Sequence, residues 1–383
     1  MISEKYAGLK YQSIIQALEQ DILGGKYLFG QRIPTQNDLT DHFGVSRPTI
    51  EKALEHLEDK GLIQRRKGSG TFVSIDVNKE RTKLKFAIIA PRPSQDYDFE
   101  SNFVQLIISN FSAQAGKRDF NLLIDTAIAD NQRELLSHSL KAAAELTEAG
   151  INGVFILPVD FTGEDTAVNS ALVQSFTNAG VQVVLLDRDI CQMPHRSRYD
   201  VVGINNRRAG FVVTDHLISN GAKNLLFVSC PLVSNTVKER IEGFKMALEH
   251  HDMNFDNRII YDYDSQNAVC RRGVIKAIKA SQGPAGIVCL NDQTAGVVMN
   301  EVVKSGFNVP AEVRIAGFDD LPMSSLLLCP LTTIRQPVAA MVQTAIDIMC
   351  NRLKDPDMPA RDIFVAEQLV VRLSCGSRLS EGK

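Results

Sequence analysis

Polar residues recur just after apolar runs of strand length, and these residues are the ones best placed to do chemistry. Arg92 and Ser94 follow Phe86–Ala90, Pro158 and Asp160 follow Val154–Leu157, and Asp187 and Arg188 follow Val181–Leu186. Asn205, the pair Asn291 and Asp292, and the pair Asp319 and Asp320 stand in the same relation to Val201–Ile204, Ile287–Leu290 and Val313–Ala316. In open α/β sheets a ligand lies beyond the carboxyl ends of the strands, so these positions are candidates to meet it. Carboxylate, amide and guanidinium groups pair with hydroxyls as acceptors and donors, which suits a sugar. Taken singly, each Asn or Asp serves equally well as a helix cap or turn residue. Their repetition after successive strands favours a ligand.

A second stretch, Val45–Val73, has a different chemistry. Ser46 can cap a helix there, and Pro48 sits in the first turn, where its missing N–H has no intrahelical use. Ile50, Ala53, Leu54 and Leu57 then form one apolar face, and Gly61 ends the helix. Two β-prone runs, Leu62–Arg66 and Thr71–Ser74, flank the basic tip Lys67-Gly68-Ser69-Gly70. A helix with a buried face followed by a basic hairpin is the plan of a winged helix-turn-helix, in which the helix enters the major groove and the wing reaches phosphates. A small structural helix with a solvated turn is the alternative.

Further elements must hold these groups. Leu9, Ile14, Ile15, Leu18, Ile22 and Leu23 have helical spacing, and Gly24-Gly25 closes that helix. Thr35 and Asp38 are spaced as a capping box for a short helix buried through Leu39 and Phe43. From Leu84 the pattern changes to strands alternating with helical segments such as Phe103–Ala115, Arg133–Leu146, Ala209–Ile218 and Val237–Leu248. That alternation predicts an α/β fold with parallel sheets covered on both faces. Its length predicts two lobes.

The chain has 383 residues and a net charge of −3, so any nucleic acid must be met by a local face and not by bulk charge. Residues 1–75 carry ten Lys or Arg and nine Asp or Glu, with the basic ones clustered at Arg65, Arg66 and Lys67. The seven cysteines show no CxxC pair, which predicts reduced thiols in a cytoplasmic protein. No signal peptide and no membrane-length apolar run is read. No HExxH, GxSxG or phosphate-loop motif occurs, so no enzyme activity, cofactor or metal is expected. His250-His251 reads as a helix end, where cations suit the dipole.

The motifs Gly30-Gln31-Arg32-Ile33-Pro34-Thr35, Val45-Ser46-Arg47-x-Thr49, Gly61-Leu62-Ile63 and Gly68-x-Gly70-Thr71-Phe72-Val73 resemble the DNA-binding domain of the GntR family over about residues 8–74. The resemblance implies a DNA face made of Thr35, Gln36, Arg47, Pro48, Thr49, Lys52, Arg66, Lys67, Gly68, Ser69 and Gly70. Asn37 and Glu51 depart from the family pattern at places where basic residues are usual.

Gly317-Phe318-Asp319-Asp320-Leu321-Pro322 and Pro330-Leu331-Thr332-Thr333-Ile334-Arg335-Gln336-Pro337 resemble the sensor domain of LacI-type repressors, akin to periplasmic sugar-binding proteins. Asp215-His216-Leu217 and Arg240-x-x-Gly243-Phe244 extend that match over about residues 84–377. It implies effector contacts from Asp187, Arg240, Asn291, Asp319 and Gln336. Ala268 and Leu157 depart from it, and Phe99, Phe161 or Tyr263 are candidates for an aromatic stacking face.

The expected architecture is a winged helix-turn-helix over 1–74, a linker over 75–83 and a two-lobed, type I periplasmic-binding-protein-like domain over 84–377. The first lobe is expected over about 84–198 and 338–362, and the second over about 199–337 and 363–377. The combination resembles the arabinose-repressor group of carbohydrate regulators. It implies a dimeric repressor of carbohydrate-utilisation genes that binds a double-stranded operator and is released by a small sugar. Alternatives are a sugar phosphate or purine-like effector, an activating or corepressed mode, a solute-binding protein, and a DNA-binding head fused to an enzyme.

Overall fold

The chain folds as two units, residues 1–83 and 84–383. A computed structural model describes residues 2–75, 83–90, 92–93, 98–126, 128–129, 131–159, 165–191, 194–229, 234–256, 260–262 and 268–377.

The first unit contains helices α1 (Ile2–Leu23), α2 (Gln36–Phe43) and α3 (Arg47–Asp59) and the hairpin β1 (Ile63–Arg66) and β2 (Gly70–Val73). The apolar stripe of α3 is wholly buried: Ile50, Ala53, Leu54 and Leu57 pack with Ile14, Leu18 and Ile22 of α1 and Leu39 of α2. α2 starts at the expected capping box. Thr35 Oγ1 accepts from the Asp38 N–H, and Asp38 accepts from the Thr35 N–H at 2.9 Å. Ser46 corrects an expectation. It occupies the N-cap of α3, but its hydroxyl meets the Thr49 hydroxyl at 2.9 Å and makes no cap bond to the backbone. The antiparallel hairpin pairs Ile63 with Val73 and Arg66 with Gly70, and Arg32 adds a bridge to Phe72.

The second unit holds two six-stranded sheets. The first comprises β3 (Lys85–Ile89), β5 (Asn121–Asp125), β7 (Gly153–Ile156), β8 (Gln182–Leu186), β9 (Asp200–Gly203) and β15 (Asp362–Phe364), all parallel, in the order β15-β9-β8-β7-β3-β5. Its central strands β3, β7, β8 and β9 are buried on both faces, as their unbroken apolar runs predict, while the edge strands β5 and β15 are partly exposed. Helices α4 (Asp98–Arg118), α5 (Gln132–Glu148) and α6 (Asp165–Asn178) connect them, and a short parallel pair, β4 (Arg92–Pro93) and β6 (Ile128–Ala129), lies apart.

The second sheet runs β11 (Ile260–Asp262), β10 (Asn224–Ser229), β12 (Ala285–Cys289), β13 (Val313–Phe318), β14 (Thr332–Arg335) and β16 (Gln368–Val370). It is parallel except for β16. Its helices are α7 (Asn206–Ser219), α8 (Asn235–His250), α9 (Ala268–Lys279) and α10 (Asp292–Lys304). Helix α11 (Val338–Lys354) returns to the first sheet and packs on β7, β8 and β9.

The chain therefore passes between the sheets after β9, after β14 and after β15. Two expected lobe boundaries shift. Residues 200–203 belong to the first lobe because β9 pairs with β8 and β15, and β15 extends the first lobe to Phe364. A fully buried carboxylate marks this seam. Asp200 accepts from Arg352 Nη2 at 2.6 Å and from the Arg361 N–H at 2.9 Å, tying β9 to α11 and to the approach of β15.

Candidate functional site

In the first unit, the residues proposed for DNA lie at the starts of α2 and α3 and on the hairpin. Arg47 Nε donates to Gln36 Oε1 at 3.3 Å, which joins the two helix starts. Arg47, Pro48, Lys52, Lys67, Gly68 and Ser69 are exposed. Thr49 is half-buried, and the Thr35 hydroxyl is engaged as a cap. Arg66 lies over the Phe72 ring at 4.9 Å, so an aromatic face fixes its direction. Gly68 and Gly70 adopt φ of 76° and 117°, conformations that a side chain would strain.

Arg65 leaves the expected basic cluster. Its Nε donates to Glu58 Oε2 at 2.6 Å and its N–H to Glu58 Oε1 at 2.9 Å, which turns it back onto α3. Those two bonds also hold the Glu58 carboxyl below its ordinary range. Arg32 was not anticipated. It is exposed, and its guanidinium lies where a Cβ on Gly70 would fall, 2.4 Å from Nε. Its place in the Gly30–Thr35 motif was the available signal. Glu51 is exposed on α3 beside Lys52.

In the second unit the candidate cleft is built from strand ends of both lobes. Asp187 follows β8 in a left-handed conformation, φ 68°, and is buried. Its Oδ2 accepts from Arg188 at 3.0 Å, while Oδ1 has no partner among the described residues. From the second lobe come Arg240, Asp319 and Gln336, all buried. Asp319 has φ 101° and accepts from Gln336 Nε2 at 2.7 Å, whereas Gln336 Oε1 is buried without a partner among the described residues. Ser229 Oγ, at the end of β10, is in the same state. Buried polar atoms are nearly always satisfied, so three such atoms at the carboxyl ends of β8, β10 and β14 need an explanation.

Arg240 is held by a group that sequence reasoning missed. Its Nε donates to Asn206 Oδ1 at 2.9 Å and its Nη1 to the Leu290 carbonyl at 2.7 Å, and the guanidinium lies 4.4 Å over the Phe318 ring. The glycines of α7 and α8 permit this geometry. A Cβ on Gly210 would sit 2.1 Å from the Arg240 carbonyl oxygen, and one on Gly243 1.9 Å from that of Arg207. Only glycines allow the two backbones to approach so closely. Burial pushes the Asp319 carboxyl up, against the opposing pull of Arg240 and Gln336, and Asp187 pushes it further.

Other strand-end side chains are engaged within the fold. Asn205 Oδ1 caps α7 through the Arg208 N–H, and Asn291 Oδ1 caps α10 through the Thr294 N–H. Asp292 is fully buried and accepts from the Leu321 N–H and from the Ser324 and Thr333 hydroxyls. Burial and neighbouring Asp319 push its carboxyl up to about 7, against those three donors. Asp320 binds Arg335 and Arg372. Arg92, Ser94, Phe99, Asp160, Phe161, Tyr263 and Ala268 lie, wholly or in their side chains, outside the described residues.

The profile of bacterial regulatory proteins of the gntR family matches residues 10–73, and that of the periplasmic binding protein-like domain matches residues 214–375. This chain joins a gntR-family DNA-binding domain to a periplasmic binding protein-like domain. The arabinose metabolism transcriptional repressor of Geobacillus stearothermophilus is 25% identical over 372 residues, 95% of this chain and 97% of that protein. The transcriptional repressor PurR of Aliivibrio fischeri is 28% identical over 236 residues, 61% of this chain and 67% of that protein. Among solved structures, the transcriptional regulator CelR in complex with cellobiose aligns with a TM-score of 0.63 at 19% identity, over 86% of this chain and 91% of that one. A LacI family regulator from Enterococcus faecium with bound ribose aligns at 0.58 and 21% identity, over 76% and 98%. Similarity at that level speaks for the fold. No helix among the described residues is long and apolar enough to cross a membrane.

Proposed function

We propose that this protein is a cytoplasmic, dimeric repressor of carbohydrate-utilisation genes that leaves its operator when a small sugar binds between the lobes of its second unit. The observation that carries the ligand reading is the set of buried, partnerless atoms Asp187 Oδ1, Ser229 Oγ and Gln336 Oε1, lying at strand ends of both lobes. Hydroxyl groups would satisfy all three, because a hydroxyl both donates and accepts. Asp187, Arg240, Asp319 and Gln336 are then the effector contacts, with Asn291 acting chiefly as a helix cap. The DNA face is Thr35, Gln36, Arg47, Pro48, Thr49, Lys52, Arg66, Lys67, Gly68, Ser69 and Gly70, and we add Arg32. A homodimer places two heads on half-sites about one helical turn apart. The link between effector and operator runs through residues 75–83.

The test is duplex-DNA binding by the full chain, using the region upstream of its own gene, with arabinose, ribose, cellobiose or a purine base added in turn. One of these is expected to weaken binding by about 5–150-fold, the range of ordinary allosteric coupling. A protein that binds sugar tightly but never shifts DNA at low salt would overturn the reading.

A further inference from the structure

We propose that Asp215, His250 and His251 form a binding site for a divalent transition-metal ion of the zinc class, independent of the ligand cleft. One ligand atom from each of the three side chains lies within 4.8 Å of the others. His251 Nε2 is 2.7 Å from Asp215 Oδ1. The His250 and His251 rings stand nearly perpendicular, 83°, with centroids 5.2 Å apart, and the Phe211 ring braces His250 at 5.7 Å. A histidine–carboxylate hydrogen bond joins two of these groups, and ring contacts with Phe211 and His251 hold His250 beside them. Two imidazoles and one carboxylate are a usual ligand set for such ions, with bonds near 2.0–2.2 Å and a remaining position for water. Ligand atoms around such an ion stand roughly 3.3 Å apart, so small side-chain rotations complete the set.

Two features of the scaffold favour a cation here. His250 is the last residue of α8 and His251 is its C-cap, so the negative end of the helix dipole faces the site. Asp215 comes from α7, which the Gly210 and Gly243 contacts lock against α8, so the ligands are presented by two helices at fixed separation. The site would pin together the distal parts of the two helices whose other ends supply Asn206 and Arg240.

The test uses the full chain without a polyhistidine tag, stripped with EDTA and titrated with Co²⁺ and Zn²⁺. One ion per chain is expected, with visible d–d absorption for Co²⁺ and a rise in thermal midpoint. His250→Ala and His251→Ala should each weaken binding by at least about tenfold, the lower end of what losing even a supporting group costs a metal site. His195→Ala, an exposed histidine elsewhere, should bind normally. His250 is exposed, so its variant should fold even if the His251 variant does not. No saturable ion, or unchanged affinity in the His250 variant, overturns the proposal.

Discussion

Asp319→Asn separates ligand binding from stability, because it should move the two in opposite directions. Asn is nearly isosteric, tolerates the positive φ of 101°, and can keep its oxygen on Gln336 Nε2 at 2.7 Å. What changes is the second carboxylate oxygen, which becomes an amide nitrogen. One charge-assisted hydrogen bond to the ligand is at stake, about 1.5–3 kcal/mol. Affinity should therefore fall by about ten- to a hundredfold. Stability should rise. Burial lifts the Asp319 carboxyl above its ordinary range, so the native state disfavours the ionised form. The sign follows from proton linkage. Below the unfolded carboxylate pKa, about 3.9, no ionisation penalty acts on folding. The penalty grows as pH rises through the folded value and is constant above it, and Asn removes it. The thermal midpoint of the variant should thus exceed that of the parent at pH 8, with the gap closing towards pH 4. Thermal denaturation across that range, with titration calorimetry against arabinose, ribose, cellobiose and a purine base, reads both effects. An unchanged affinity for the probe that binds the parent, or a lower midpoint at every pH, would refute this account of Asp319.

Arg47→Ala should cost about 1–3 kcal/mol of DNA affinity, read by fluorescence anisotropy, while ligand binding in the second unit is unaffected. Its stability should change by less than about 0.5 kcal/mol, since both Arg47 and the contact it makes with Gln36 are exposed. Gly243→Ala places a methyl group 1.9 Å from the Arg207 carbonyl oxygen, a backbone atom that cannot swing away. A loss of at least about 1–3 kcal/mol is expected in urea denaturation, and an unchanged midpoint would mean that the α7–α8 approach is looser than described.

Periodicity and spacing carried the local structure. The stripe Ile50, Ala53, Leu54, Leu57 was legible because burial follows the helical repeat, and the Thr35–Asp38 cap because both partners lie within one turn. What escaped depends on contacts between distant residues. Nothing in the spacing joins Asn206 to Arg240, or Arg361 to Asp200 across 161 positions. A strand buried on both faces reads as a continuous apolar run whichever sheet it joins, so the run at Val201 could not disclose its lobe. Strand-end polar residues were equally ambiguous. Asn205, Asn291, Asp292 and Asp320 share the pattern of Asp187 and Asp319, yet their side chains are turned to caps and buried networks. What separates Asp187 from them is a partnerless buried atom, its Oδ1, which only three-dimensional contacts reveal.

That distinction also bears on how the lobes would respond to a ligand. Arg240 is fastened by Asn206, Leu290 and Phe318, all in its own lobe, so it is a fixed platform and not a moving part. The group that would change its surroundings on closure is Asp187, on the opposite lobe. Asp187 already pushes the Asp319 carboxyl up, so the two carboxylates repel across the cleft, while Arg188 is bonded to Asp187 and Arg240 draws on Asp319. Closure without a ligand would strengthen that repulsion in a drying interior, where like charges are most costly. A ligand with several hydroxyls would reverse the balance by donating to both carboxylates while accepting from Arg240. Its affinity for the closed state then exceeds its affinity for the open one, which is the condition for shifting the equilibrium. An apolar ligand of equal size would fill the space and leave the repulsion in place. Selectivity for polyhydroxylated ligands would thus follow from the paired carboxylates themselves, before any particular sugar is considered.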